Sequence, residues 1–264
     1  MTEDKKNIQD LIELVDILRG EDGCPWDKVQ THSSIKNAIV EESYEVLDAI
    51  EKNDYKAMTE ELGDVLFQVI FHASIEKNNG KFTLEDIITG IYNKMVFRHP
   101  HVFQKENNKV ETVNDVLNNW DEIKRKEKNI ETYTDELKSV AIALPALVRA
   151  NKIQNKAGKL GFDFEKIEDV FEKVKEELSE VKEEYKKNDR DNLEKDVGDL
   201  LFSCVNVARF LKINPEEALN KSTEKFINRF GKIEEEAKKQ GRDFKELSLD
   251  EKNEIWENIK KLEK

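Results

Sequence analysis

Two stretches decide the fold: Glu61-Leu62-Gly63-Asp64-Val65-Leu66-Phe67 and, 135 residues later, Asp196-Val197-Gly198-Asp199-Leu200-Leu201-Phe202. Each places two acids at i and i+3, so both lie on one face of a helix. A glycine stands just before the second acid, and the apolar run that follows (Val65, Leu66 and Phe67, or Leu200, Leu201 and Phe202) marks a buried face. The same offset pairs Glu41-Glu42-Ser43-Tyr44-Glu45 with Glu176-Glu177-Leu178-Ser179-Glu180. Matches at one shared offset mark an internal repeat. Further on, Asn93-Lys94 with Arg98 matches Glu224-Lys225 with Arg229 after a four-residue deletion. The chain therefore reads as one helical module used twice.

Around these blocks the apolar periodicity is helical nearly throughout. Ile8, Leu11, Ile12, Val15 and Leu18 form one stripe, ending at Gly20. Ile35, Ile39, Val46, Leu47 and Ile50 form a second, and Met58, Leu62, Val65, Leu66, Val69 and Ile70 a third. Thr83, with Asp86 three residues on, opens a fourth that Pro100 ends. In the second half, helices are predicted over about 165–187, 191–212 and 215–240. Asn214-Pro215 starts the last of these, and Ser248 with Glu251 starts a terminal helix. The fold class is all-α. The expected domains are 1–105 and 141–264, joined by a polar connector, 106–140, with one short helix near Val113 to Ile123.

Charged residues make up 38% of the 264, which suits long amphipathic helices with solvated outer faces. Ten glycines and four prolines leave few breaks, against a many-stranded architecture. The net charge of −13 disfavours non-specific contact with nucleic acid or acidic membranes. Cys24 and Cys204 form neither a disulfide framework nor a zinc ribbon. No apolar run approaches a membrane span and the first ten residues are polar, so the expected compartment is the cytoplasm.

The carboxylates carry the chemistry. Packed antiparallel, the two acid-bearing helices of each copy bring Glu42, Glu45, Glu61 and Asp64, or Glu177, Glu180, Asp196 and Asp199, toward a common point. Four converging anions repel unless a cation offsets them. Hard oxygen donors without His or Cys suit Mg²⁺, with Mn²⁺ as a substitute. Nearby bases could take phosphates: Lys173 one turn before Glu177, and Lys225 with Arg229 at i and i+4.

These residues strongly resemble the MazG family of nucleoside triphosphate pyrophosphohydrolases. The E-E-x-x-E…E-x-x-D motif stands at Glu41 to Asp64 and again at Glu176 to Asp199. Gly23-Cys24-Pro25-Trp26-Asp27 with Gln30-Thr31-His32, Arg98-His99-Pro100-His101-Val102-Phe103 and Leu144-Pro145-Ala146-Leu147 are similar to other family segments. The resemblance implies Mg²⁺-dependent hydrolysis of nucleoside triphosphates, ATP among them, to a monophosphate and pyrophosphate. It also implies homodimers in which helices of two chains complete each core. By resemblance Glu177, Glu180, Asp196 and Asp199 hold magnesium, and Lys173, Glu176, Lys225, Arg229 and Trp256 contact the nucleotide. Lys195 and Asn206 are grouped with them. Asp196 departs from the motif, which more often has Glu there.

Both copies keep the acids but differ elsewhere. At the shared offset Lys173 faces Ala38, and Asn206 faces Phe71. Asn206, two turns beyond Asp199, could hydrogen-bond ribose or base. The C-terminal copy is therefore expected to be the main catalyst, the first a weaker catalyst, a regulatory site or a dimerisation unit. Water is expected to attack the α-phosphorus in line, with Glu176 accepting the proton and Lys225 and Arg229 offsetting charge on pyrophosphate. The rival expectations are a nucleotide-sensing or scaffolding dimer, and a narrower dUTP- or phosphoribosyl-ATP-type enzyme. His72 is expected to pack in the core, and His99-Pro100-His101 to form a structural turn.

Overall fold

The computed structural model describes residues 5–104, 112–127, 130–187 and 189–263. Every regular element among them is a helix. The chain divides into two compact units, Met1–Lys124 and Arg125–Lys264.

The first unit opens with α1 (Ile8–Arg19), whose Asn7 and Asp10 form a capping box. Short helices α2 (Pro25–Val29) and α3 (His32–Ile35) follow. Gly23 is required between α1 and α2, because a Cβ there would meet the Leu18 carbonyl oxygen at 2.3 Å. Next come α4 (Ala38–Lys52) and α5 (Tyr55–Asn79), packed along one another. Asn53, at φ 54°, ends α4 in the left-handed conformation, and the Asp54 amide donates back to the Ala49 carbonyl at 2.9 Å. The Asp54 carboxylate then accepts from the amides of Lys56 and Ala57, both at 3.0 Å, and starts α5. A two-residue turn of this kind makes the pair antiparallel. Thr83 and Asp86 cap α6 (Leu84–Arg98), and α7 (Pro100–Phe103) and α8 (Val113–Glu127) complete the series. The core joins Val15 of α1, Ile35 of α3, and Ile70, Phe71 and Ile75 of α5.

The second unit contains α9 (Tyr133–Lys138), α10 (Ala146–Lys159), α11 (Ile167–Lys187) and α12 (Arg190–Phe210). It ends with α13 (Pro215–Lys239), a 3-10 turn (Phe244–Glu246) and α14 (Leu249–Leu262). Helices α11 and α12 pack together as α4 and α5 do. Asp189 caps α12, accepting from the Asn192 amide at 3.2 Å. It stands 135 residues after Asp54 and shares its backbone conformation, with φ near −90° in both. The repeat in sequence is thus a repeat in fold. Ile233, Ala237, Leu247 and Ile259 form a second core, with Trp256 packed against it.

The residues after each second acid do not behave as expected. Val65, Leu66 and Phe67, like Leu200, Leu201 and Phe202, read as a buried face, yet Leu66 is 42% and Leu201 56% exposed. Gly63 and Gly198 have nothing within 4 Å of a Cβ position, so no described residue of their own unit uses the room they leave. The periodicity identified apolar faces correctly but could not say that one chain leaves them open.

Candidate metal and nucleotide site

In the first unit α4 supplies Glu42 and Glu45, one helical turn apart, and α5 supplies Glu61 and Asp64. Glu42, Glu45 and Glu61 each offer an oxygen within 4.8 Å of the others. Partial burial, then the charges of Asp64 and Glu45, push the Glu42 carboxyl above its ordinary range. Glu61 is raised too, by burial and by Glu45. An all-oxygen trio in which burial and neighbouring charge hold Glu42 and Glu61 reluctant to ionise is the donor set a hard divalent cation relieves. Asp64, exposed one turn beyond Glu61, contributes charge rather than membership of the trio.

The second unit uses the same scaffold with a cation built in. Lys173 of α11 reaches Glu177 at 2.6 Å and Glu176 at 2.9 Å. Both carboxylates raise the Lys173 pKa, Glu177 most. Glu177 is only 5% exposed, and its Oε2 is buried without a hydrogen-bond partner. A buried carboxylate with an unfilled lone pair fits a missing cation or donor. Glu180 is raised chiefly by the charge of Glu177, and Asp196 of α12 adds to it, so three acids of the two helices lie within electrostatic reach of one another. Asp196 is half-buried and Asp199 exposed. Among the described residues, the gathering of three acids within 4.8 Å occurs in the first copy alone.

The remaining expected nucleotide contacts are distributed more widely. Lys195 is exposed and donates to Asn192 at 3.1 Å. The Asn206 carbonyl oxygen accepts from Arg209 at 2.8 Å, and Arg209 forks onto Asp163. That bond is the largest cause of the lowered Asp163 pKa. Asn206 therefore holds a structural partner as well as a free amide nitrogen to offer. Its counterpart Phe71 is 2% exposed, in the core beneath Arg19. Lys225 is exposed on α13. Arg229 pairs with Glu263 at 2.8 Å and lies 5.3 Å above Trp256, which also packs on Phe226. Arg229 and Trp256 thus form one stacked pair.

Sequence reading missed a polar chain in the first unit. His72 is half-buried, as its apolar helix suggested, but its Nδ1 lies 2.7 Å from that of His32. His32 Nε2 reaches Glu76 at 2.7 Å. Burial lowers the His72 pKa, and the His32 bond is the main cause holding Glu76 below its ordinary range. His32 and His72 are forty residues apart, so only the fold brings them together. His99 forms the expected turn: its Nδ1 donates to the Met95 carbonyl at 2.6 Å, with its ring edge on Trp120.

Comparison with known proteins gives this geometry its context. Residues 30–103 and 165–233 each match the MazG nucleotide pyrophosphohydrolase domain. The first match contains Glu42 to Asp64, the second Glu177 to Asp199. The chain is 42% identical to the nucleoside triphosphate pyrophosphohydrolase/pyrophosphatase MazG of Thermotoga maritima, over 96% of this chain and 95% of that one. It is 40% identical to the nucleoside triphosphate pyrophosphohydrolase of Escherichia coli K12, over 97% and 98% of the two chains. It is 50% identical to the Bacillus subtilis protein YabN over 94% of its own length, and spans half of that longer protein. A crystal structure of a MazG-related protein from Thermotoga maritima aligns at a TM-score of 0.38 and 26% identity, covering 45% of this chain and 99% of that one. With two domain matches at the two acid-bearing helix pairs, and relatives aligned from end to end, the chain belongs to the MazG nucleotide pyrophosphohydrolase family.

Proposed function

We propose that this chain hydrolyses nucleoside triphosphates to a monophosphate and pyrophosphate with Mg²⁺, as an enzyme of nucleotide-pool control or house-cleaning in the cytoplasm. One observation carries the reading: in the first unit Glu42, Glu45 and Glu61, from two antiparallel helices, bring oxygens within 4.8 Å of one another, and in the second Glu177 and Asp196, from the equivalent helices, both raise the Glu180 carboxyl. Glu177, Glu180, Asp196 and Asp199 would hold the ion in the second copy, and Glu42, Glu45, Glu61 and Asp64 in the first; Mn²⁺ would substitute. When bound, magnesium supplies charge neutralisation at the phosphate oxygens and an acidified water. The chain's own groups do the rest. Glu176, on the solvent side of Glu177, takes the proton from water attacking the α-phosphorus. Lys173, Lys195 and Lys225 offset phosphate charge. The Arg229–Trp256 pair offers an aromatic face beside a cation, and the Asn206 amide a donor for ribose or base.

The C-terminal copy is the main catalyst in this reading. Lys173 and Asn206 support it, since the first copy has Ala38 and a core-buried Phe71 at those places. The first copy then binds metal or nucleotide with little turnover. The open apolar faces beside the acids support a homodimer that completes each core.

The test is a pyrophosphate-release screen over ribo- and deoxynucleoside triphosphates, deaminated and oxidised bases included. Glu177→Ala with Glu180→Ala should abolish turnover, and Glu42→Ala with Glu45→Ala should spare most of it. Orthophosphate as the product would refute the reaction class. Turnover surviving the first double variant would move catalysis to the N-terminal copy.

A further inference from the structure

The two copies differ in one feature of charge. In the second, an internal cation already sits on the acids: Lys173 Nζ lies 2.6 Å from Glu177 Oε1 and 2.9 Å from Glu176 Oε1. In the first, the corresponding residue is Ala38, and oxygens of Glu42, Glu45 and Glu61 lie within 4.8 Å of one another. Lys173 engages only one oxygen of Glu177. The other, Oε2, is buried and unpartnered in a side chain 6% exposed. The lysine therefore offsets the charge of Glu177 without filling its coordination capacity. It is also 38% exposed, on a flexible four-carbon stem, so its ammonium can leave without disturbing the core.

We propose that Lys173 is a resident counter-ion of the second copy's carboxylates, handed to the triphosphate when a divalent cation takes its place, so that metal and nucleotide enter this copy together. This rests on the reading of Glu177 and Glu180 as metal ligands. The logic is a cation exchange. A metal arriving alone must displace an ammonium with nowhere comparable to go. A metal arriving with a triphosphate brings the anion that receives it. Each ligand then strengthens the other's binding, and the coupling is reciprocal. The first copy, with alanine there, has no such gate. Lys173 is thus a positioning residue in the empty site and a phosphate ligand in the filled one.

The test is Mn²⁺ binding to the full chain, followed by electron paramagnetic resonance of the free ion. Glu42→Gln with Glu45→Gln is the background that silences the first copy. In this background an α,β-imido triphosphate analogue should tighten Mn²⁺ binding by about tenfold or more. Adding Lys173→Met should bring a comparable gain without nucleotide and shrink the nucleotide's effect. Lys173→Arg, which keeps the charge, should behave like the background. The proposal is overturned if Lys173→Met leaves nucleotide-free Mn²⁺ binding unchanged or weaker, or if Lys173→Arg gains as much as Lys173→Met. Glu177→Gln with Glu180→Gln separates the two levels. If nucleotide-linked Mn²⁺ binding survives that change, the ligand assignment beneath the proposal falls with it. If it is lost while Lys173→Met has no effect, only the counter-ion role falls. Unfolding midpoints of all variants establish that each is folded.

Discussion

At the scale of single residues, charge and space set clear expectations. Arg242 binds Glu251 at 2.6 Å, and this bond, with the amide and hydroxyl of Ser248, holds the Glu251 pKa down to about 2. A carboxylate depressed in the folded state contributes stability above its unfolded pKa and loses it as pH falls through the folded one. Arg242→Met should therefore lower the unfolding midpoint of the second unit above about pH 4.5, with the difference from wild type closing toward pH 2. Thermal unfolding across that range checks it, and a constant difference would detach the effect from Glu251. Gly23 is an argument from space: a methyl group there meets backbone oxygens of Ile17 and Leu18 at 2.4 and 2.3 Å, atoms that cannot swing aside. Gly23→Ala should destabilise the first unit by roughly 1–3 kcal/mol, measured by denaturant unfolding. Not every residue was legible in the chain. Lys173 lies three and four residues before its two acids, a spacing that fits an ion pair and a phosphate ligand equally. Only the fold reveals the pairing. Asn206 was singled out for lying on the acid face, but its bond to Arg209 depends on Asp163, 46 residues from Arg209.

At the scale of elements, the helix pair was the most legible part of the molecule. The shared offset matches α4 and α5 to α11 and α12, and the structure extends the match to a residue that sequence reasoning passed over. Asp54 and Asp189 both begin the second acid-bearing helix by accepting from its first amides. Each fixes where Glu61 or Asp196 falls relative to the preceding helix, so the caps serve the site as well as the helices. Asp54→Ala and Asp189→Ala should each cost about 1 kcal/mol of stability in their own unit. A cost confined to one of them would show that the second turn is held by other contacts. The predicted boundaries at 165, 191 and 215 fall within two residues of Ile167, Arg190 and Pro215, and the last two follow the capping side chains of Asp189 and Asn214.

At the scale of the whole molecule, each unit leaves apolar surface open among its described residues. In the first unit Val40, Tyr44 and Leu47 on α4, with Leu62 and Leu66 on α5, are all between 40 and 54% exposed. In the second, Leu178 on α11 and Val197, Leu201 and Phe202 on α12 are exposed to a similar degree, with Val197 and Leu201 at the positions that correspond to Leu62 and Leu66. Both glycines of the acid motifs lie among them with open space above. Scattered exposed leucines need no explanation, but contiguous apolar faces of this kind mark interaction surfaces. The recurrence on α12 of the open positions of α5 points to self-association, since a second copy of the chain presents the same surfaces in return. Periodicity made these faces visible in the sequence, but it reports which residues share a side, not whether that side is covered within one chain. Leu66→Glu and Leu201→Glu each put a charge at the middle of such a face, where burial without a counter-ion is unfavourable. We expect light scattering to give a dimeric mass for the native chain and a monomeric fraction that rises with either substitution and dominates with both. Metal binding by the Glu42 trio and by Glu177 should weaken in parallel, because the open faces flank the acids. A native chain that is monomeric at every concentration, or a double variant that stays dimeric, would leave those faces to a different partner.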